Sequence, residues 1–154
     1  MVVLIIDDPL MKPVTEAPLG ANGLKLHDGF LYFTNSGRSI VGRVPIQPDG
    51  SAADNASIVV SGTYGDDFTF GARGDLFIAD ALGALDFVGP HGSSGAVLAG
   101  NAKSSALAGP SACRFRRTTL DEGSLYISTT GGDSQYASRD YTLGGSTSRV
   151  DVLL

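Results

Sequence analysis

The chain has 154 residues and a formal net charge of −5. That length is one domain's worth of chain with room for a real core. The acidity excludes a nucleic-acid partner, because no basic stripe exists to displace counterions from phosphates. Arg114, Arg116 and Arg117 form the only basic cluster, and a solvated strand end accounts for them. With Gly 21, Pro 7 and no sustained helical period, the composition points to an all-β chain in which helix is nearly absent.

In chain order, Val2 to Ile6 is a clean apolar run without a basic flank, far too short for a signal or a membrane span. It is expected to be a β-strand, and no membrane partner is expected. With no signal segment read in the chain, the default expectation for location is the cytoplasm. Next comes Asn22-Gly23-Leu24-Lys25-Leu26, followed by related segments at Asp66-Asp67-Phe68-Thr69-Phe70 and Ser111-Ala112-Cys113-Arg114-Phe115. Starting at positions 22, 66 and 111, successive copies lie 44 and 45 residues apart. Each leads through a glycine (Gly29, Gly74 or Gly123) into a second strand: Phe30 to Asn35, Asp75 to Asp80 and Ser124 to Thr129. A period of about 40 to 50 residues with several strands per unit is the sequence signature of β-propeller blades.

Within the first repeat the expected strands are Gly23 to Leu26, Phe30 to Asn35, Ser39 to Ile46 and Ser57 to Ser61. His27-Asp28-Gly29 makes the first hairpin, and Pro48-Asp49-Gly50 breaks the chain after the third strand. The second repeat follows with Asp67 to Phe70, Asp75 to Asp80, Ala84 to Val88 and Ala96 to Leu98. The third has Ala112 to Phe115, Ser124 to Thr129 and Ser148 to Val152, where Arg149-Val150-Asp151-Val152 echoes Arg43-Val44-Pro45-Ile46. Its outer strand is missing.

The expected organisation is therefore an outer strand at 2–6, blades at 22–61 and 66–98, and a blade at 111–153 lacking its outer strand. The strand at 2–6 stands where the outer strand of a preceding blade would stand. Propellers close with about 4 to 8 blades, so three blades are too few. Two arrangements satisfy this: the chain is the C-terminal half of a longer six-bladed protein, or two copies form a homodimer about a two-fold axis.

Three groups of residues resemble the later blades of the gluconolactonase, regucalcin and luciferin-regenerating enzyme family of six-bladed propellers, in particular its fungal branch. They are Ala21-Asn22-Gly23-Leu24 with Leu31 to Ser36, Asp66-Asp67-Phe68 with Gly74 to Asp80, and Gly109-Pro110-Ser111 with Leu125 to Gly132. The resemblance runs from about Pro9 to Val152. It implies a divalent metal, commonly calcium, held at the top of a central channel by a Glu, an Asn and an Asp from different blades. Asn22 stands at the family's Asn and Asp66 at its Asp; the Glu belongs to a first blade that this chain does not contain.

Oxygen donors suit a hard cation, which in a lactonase polarises the carbonyl and holds the attacking water. Asp66 is the candidate both for metal ligation and for taking a proton from that water. The plainer readings stand beside these: Asn before Gly is a frequent turn pair, and Asp66-Asp67 after Gly65 also suits strand entry. Ser111, the third in the series, either reaches the channel or satisfies a backbone group. The long connection from Thr130 to Thr147, rich in Gly, Ser, Thr and Tyr, is either a lid presenting Tyr136 and Tyr141 to a substrate or a surface insertion.

Other constellations are weak. Cys113 is the sole cysteine, so no intrachain disulfide forms, and its place in an alternating strand reads as a buried small hydrophobe. His27 and His91 fall in turns without a second ligand at metal spacing and are expected in solvent. No nucleophile elbow and no phosphate-binding loop is present. The leading expectation is a metal-dependent lactone or ester hydrolase acting on a small molecule, seen as a part that is inactive by itself. The alternatives are a propeller that binds a small molecule without turnover and a fungal biosynthetic propeller that closes rings without metal.

Overall fold

The computed structural model describes residues 2–92, 94–115, 118, 123–132 and 144–152. It is all-β, with three antiparallel sheets and, among the described residues, one 3-10 turn at Pro9–Met11 as the only helical element. No helix among the described residues is long and apolar enough to cross a membrane. The first sheet runs β1 (Ala21–His27), β2 (Phe30–Asn35), β3 (Ile40–Pro45) and β4 (Ser57–Ser61) in chain order. The second repeats that order with β5 (Gly65–Phe70), β6 (Leu76–Asp80), β7 (Ala84–Val88) and β8 (Ala96–Gly100). The third has β9 (Pro110–Phe115), β10 (Ser124–Thr129) and β11 (Ser146–Asp151), with β10 in the middle.

Turn chemistry sets the registers. Asp28 (φ 46°) and Gly29 (φ 76°) both take positive φ, the backbone a two-residue hairpin of this hand requires, and His27 pairs with Phe30 across it. The third strand begins at Ile40 and not at Ser39, because Ser39 sits at φ 53° and turns the chain.

Alternation along each strand then sends side chains to two faces. In the seam between the first two sheets, Tyr32, Val41 and Val60 pack against Phe68, Leu76, Ile78 and Val88. In the next seam, Phe77, Ala79 and Leu85 meet Leu107, Cys113, Leu125 and Ile127. Each large side chain buried in this way contributes about 1.5–3 kcal/mol before the cost of ordering it.

The first strands of the three sheets stand side by side, with β5 touching both β1 and β9. Contact between β1 and β5 is close enough to need a glycine: a Cβ on Gly23 would lie 2.7 Å from the Asp67 Cα and 2.9 Å from the Asp66 carbonyl oxygen. The Thr34 hydroxyl fastens the same place. It accepts from the Gly23 N–H (2.8 Å) and donates to the Asp66 carbonyl (2.8 Å), while Ser36 Oγ donates to the Gly65 carbonyl (2.8 Å).

The expected strand at Val2 to Ile6 is not formed. Its residues enter no ladder, and Val2, Val3, Leu4 and Ile5 are exposed. The chain instead crosses the open face of the first sheet, where Ile6, Leu10 and Met11 cover Leu31, Phe33 and Val44. Two buried polar side chains hold it there: the Asp8 carboxylate accepts from Leu10 N (2.8 Å) and Ala56 N (3.0 Å), and Asn35 Nδ2 donates to the Leu10 and Lys12 carbonyls.

Cys113 is buried, as its alternation predicts, and donates to the Phe77 carbonyl (3.2 Å). Burial, with the Asp67 carboxylate adding to it, pushes its thiol up to about 12. It is therefore expected to resist alkylation at pH 8 in the native protein and to react only after denaturation, as counted by mass spectrometry. Thr34→Val, which keeps the shape but strands the Gly23 N–H and the Asp66 carbonyl, is expected to lower stability by about 1–3 kcal/mol in urea unfolding. Gly23→Ala is expected to cost at least as much, because the obstacle to its methyl is backbone; wild-type midpoints for both would contradict the tight β1–β5 contact.

Candidate functional site

The Gly23 contact brings two side chains of the sequence-derived site together. Asn22 leaves β1 one residue before the close approach, Asp66 leaves β5 at the same end, and Asn22 Nδ2 donates to Asp66 Oδ1. The two residues are 44 positions apart in the chain. They meet because the repeat places them at equivalent points of neighbouring first strands.

Asp66 is half-buried, and its carboxyl is raised above the ordinary value of 3.8. Burial is the main cause; the Asn22 amide opposes it and the neighbouring Asp67 charge adds to it. Asp67 points elsewhere, into an ion pair with Lys25 (2.5 Å). The two adjacent carboxylates are thus separated in role, one held by an ammonium and the other facing a neutral amide.

Asp66 also lines a small pocket of about 130 Å³ with Leu19, Ser36, Tyr64, Ala81, Pro110 and Thr130. The pocket walls come from all three sheets. Asp80, buried at the end of β6, shapes one of them by accepting from Tyr64 N (3.0 Å) and Leu82 N (2.8 Å). Thr63 Oγ1 donates to the nearby buried Asp86 (2.7 Å), whose carboxyl is raised by its burial. Asp80 carries no local motif, so its bracing role was invisible in the sequence; only its position at a strand end gave a hint.

Ser111 is half-buried, and its hydroxyl turns into its own sheet, 3.3 Å from the Ser128 carbonyl and 3.1 Å from the Ser128 hydroxyl. Tyr136 and Tyr141 lie outside the described residues, so the lid expectation keeps only its base, Thr130, which lines the pocket and bonds the Gly109 carbonyl (3.2 Å). His91 is exposed. His27 departs from expectation: as the last residue of β1 it stacks on Phe70 of β5 at 4.0 Å between ring centroids and is only partly exposed. A second, wider cleft of roughly 790 Å³ runs beside β9, lined by Lys25, Asp67, Thr69, Arg114, Tyr126 and Ser128 among others.

An amide and a carboxylate side by side are hard oxygen donors of the kind calcium accepts, since half a turn of the Asn22 amide presents its oxygen instead of its nitrogen. The donor chemistry fits. The number is small, for among the described residues no group of three or more His, Cys, Asp or Glu side chains gathers around one point.

Neither a protein-family model nor a curated protein matches the chain in sequence. In three dimensions it is similar to luciferin-regenerating enzyme, with a TM-score of 0.70 and 20% identity over 89% of this chain and 47% of that one. It is also similar to regucalcin from Agrobacterium tumefaciens, described as a calcium-binding protein, with a TM-score of 0.60 and 18% identity over 88% of this chain and 47% of that one. A third likeness is to a candidate 6-phosphogluconolactonase from Bacteroides uniformis, with a TM-score of 0.51 and 14% identity over 73% of this chain and 34% of that one. The chain spans about half the length of the first two. At these identities the likeness is one of fold, and the proteins whose fold it shares are luciferin-regenerating enzyme and regucalcin.

Proposed function

We propose that the three sheets are three blades of a six-bladed β-propeller. In this reading the end of the channel where Asn22 meets Asp66 is part of a calcium-dependent lactone or ester hydrolase site. The observation behind the proposal is that contact: two hard-oxygen side chains from neighbouring first strands, facing a pocket walled by all three sheets. The neighbours described as calcium-binding and as a candidate lactonase support it. Calcium takes about six to eight oxygens, so Asn22 and Asp66 supply two, and the rest come from water, substrate and blades beyond this chain.

A bound cation would polarise the lactone carbonyl. Asp66, with its carboxyl raised by burial, accepts a proton from the attacking water and returns it to the ring oxygen as the acyl carbon–oxygen bond breaks, leaving a hydroxy acid. Asp67 stays out of the reaction, held by Lys25. Tyr136 and Tyr141 are proposed to touch the substrate from the connection that follows Thr130.

A second reading, a propeller that binds a small molecule without turnover, draws on the Asn22 amide: it already satisfies one Asp66 oxygen with no cation needed.

Calorimetric titration with calcium separates the two. Asp66→Asn and Asn22→Ala are each expected to weaken binding at least tenfold, and unchanged affinity in both would remove the metal reading. Protons compete with the cation for Asp66. Because its folded value lies above 3.8, affinity is expected to be constant above that raised value and to fall about tenfold per pH unit below it. If calcium binds yet lactone opening shows no dependence on chelator, the binding-module reading takes its place.

A further inference from the structure

The two ends of the array are unlike and complementary. Whereas the first two sheets have four strands each, the third has three, and the outer edge of β11 has no ladder partner among the described residues. That edge is six residues long and pairs with β10 without a bulge, and it contains neither proline nor lysine. Its two charged side chains pair with each other, Arg149 Nε lying 3.1 Å from Asp151 Oδ1. Of the devices that blunt an open edge, proline, lysine and a bulge are absent from β11, and its two charges are engaged with each other.

At the opposite end, Val2, Val3, Leu4 and Ile5 are 100%, 63%, 79% and 41% exposed and belong to no strand. Together with Ile6 they form a five-residue run with four β-branched members. The outer strands of the two complete sheets, β4 and β8, are also five residues long. A free strand and a free edge of matching length sit on one chain.

They cannot meet within it. Ile6 packs against the first sheet, two residues from Asp8, which is tied to Ala56 N. Two residues span about 7 Å, whereas the third sheet lies beyond the second, about two inter-sheet spacings or roughly 20 Å away. Leu24 and Leu26, on the same face as Leu31 and Phe33 by register, stay 55% and 73% exposed beside this anchor. They extend the uncovered apolar surface along that end of the chain.

We propose that residues 2–6 pair with the outer edge of β11 in a second copy of this chain, and that the second copy returns the same strand. With one donor and one acceptor at opposite ends of each copy, two copies satisfy both by exchange and close on themselves. Six sheets, unlike three, fall within the range in which such arrays form rings. The first-sheet face carrying Leu24 and Leu26 is covered by the partner's third sheet, and both Asn22–Asp66 pairs then share one channel. The inference rests on the propeller reading above but not on its metal, so the measurement is made in chelator and the two can fail separately.

Light scattering and sedimentation of the full chain at micromolar concentration are expected to give a discrete species of twice 15.8 kDa. Val3→Pro/Leu4→Pro removes one ladder N–H whichever way the strand faces, in a segment outside every strand of the single chain. The double variant is expected to keep the circular dichroism of the fold and to lose the dimer, with at least a tenfold rise in its dissociation constant. Deletion of residues 2–5 is expected to do the same. A wild-type monomer, open-ended aggregates, or a dimer indifferent to both variants would each overturn the proposal.

Discussion

At Gly23 the backbone of β1 runs so near β5 that a single added carbon would lie 2.7 Å from the Asp67 Cα. The whole line of contact between the first two sheets is organised by that approach. Gly23, Lys25 and His27 alternate along the face of β1 turned to β5; they meet respectively the β5 backbone, the Asp67 carboxylate and the Phe70 ring. Thr34, reached from β2, locks the same point with two hydrogen bonds. One small residue thus lets a polar pair, an ion pair and a ring stack form in register over a single strand. Asn22 meets Asp66 as the end of that zipper, and the candidate site inherits its geometry from packing.

The same alternation explains why two adjacent carboxylates differ. Successive residues of a strand face opposite ways, so Asp67 is delivered to Lys25 while Asp66 is turned toward Asn22 and the pocket. Asp67 is paired with Lys25, whereas half-burial without a cation pushes the Asp66 carboxyl up. Charge that would be costly at one point is in this way divided between a structural pair and a group left to respond to a ligand or a proton.

Repetition made most of the strands legible. Segments at positions 22, 66 and 111 gave the first strands, and the glycine turns gave the second, because turn residues and alternation are local signals. The meeting of Asn22 with Asp66 was legible for the same reason, since equivalent positions in stacked repeats are neighbours. What failed was non-local. Val2 to Ile6 has the composition of a strand, but composition does not report which edge it will meet, and Asp8 and Asn35 tie the chain that follows it across the first sheet. His27 looked like a turn residue because its stacking partner, Phe70, lies 43 positions away. The bracing by Asp80 depends on backbone N–H groups of Tyr64 and Leu82, which no side-chain pattern reports.

The two open faces of the array differ in a way that bears on where function can lie. The first-sheet face is apolar and covered in part by the chain's own Ile6, Leu10 and Met11, with Leu24 and Leu26 left exposed. The third-sheet face presents Arg114, Tyr126, Ser128 and Thr147 along the wide cleft, polar side chains set among apolar ones such as Ala112, Phe70 and Phe115. An apolar face gains from contact with any apolar surface, but a polar face gains only where its hydrogen-bonding groups are matched. In the proposed ring, closure would depend on matching those hydrogen-bonding groups as well as on hydrophobic burial. Because the pocket beside Asp66 already draws Pro110 and Thr130 from that third sheet, whatever completes the third sheet also fixes the far wall of the site. In the proposed ring, assembly and ligand binding would be coupled through the same strands.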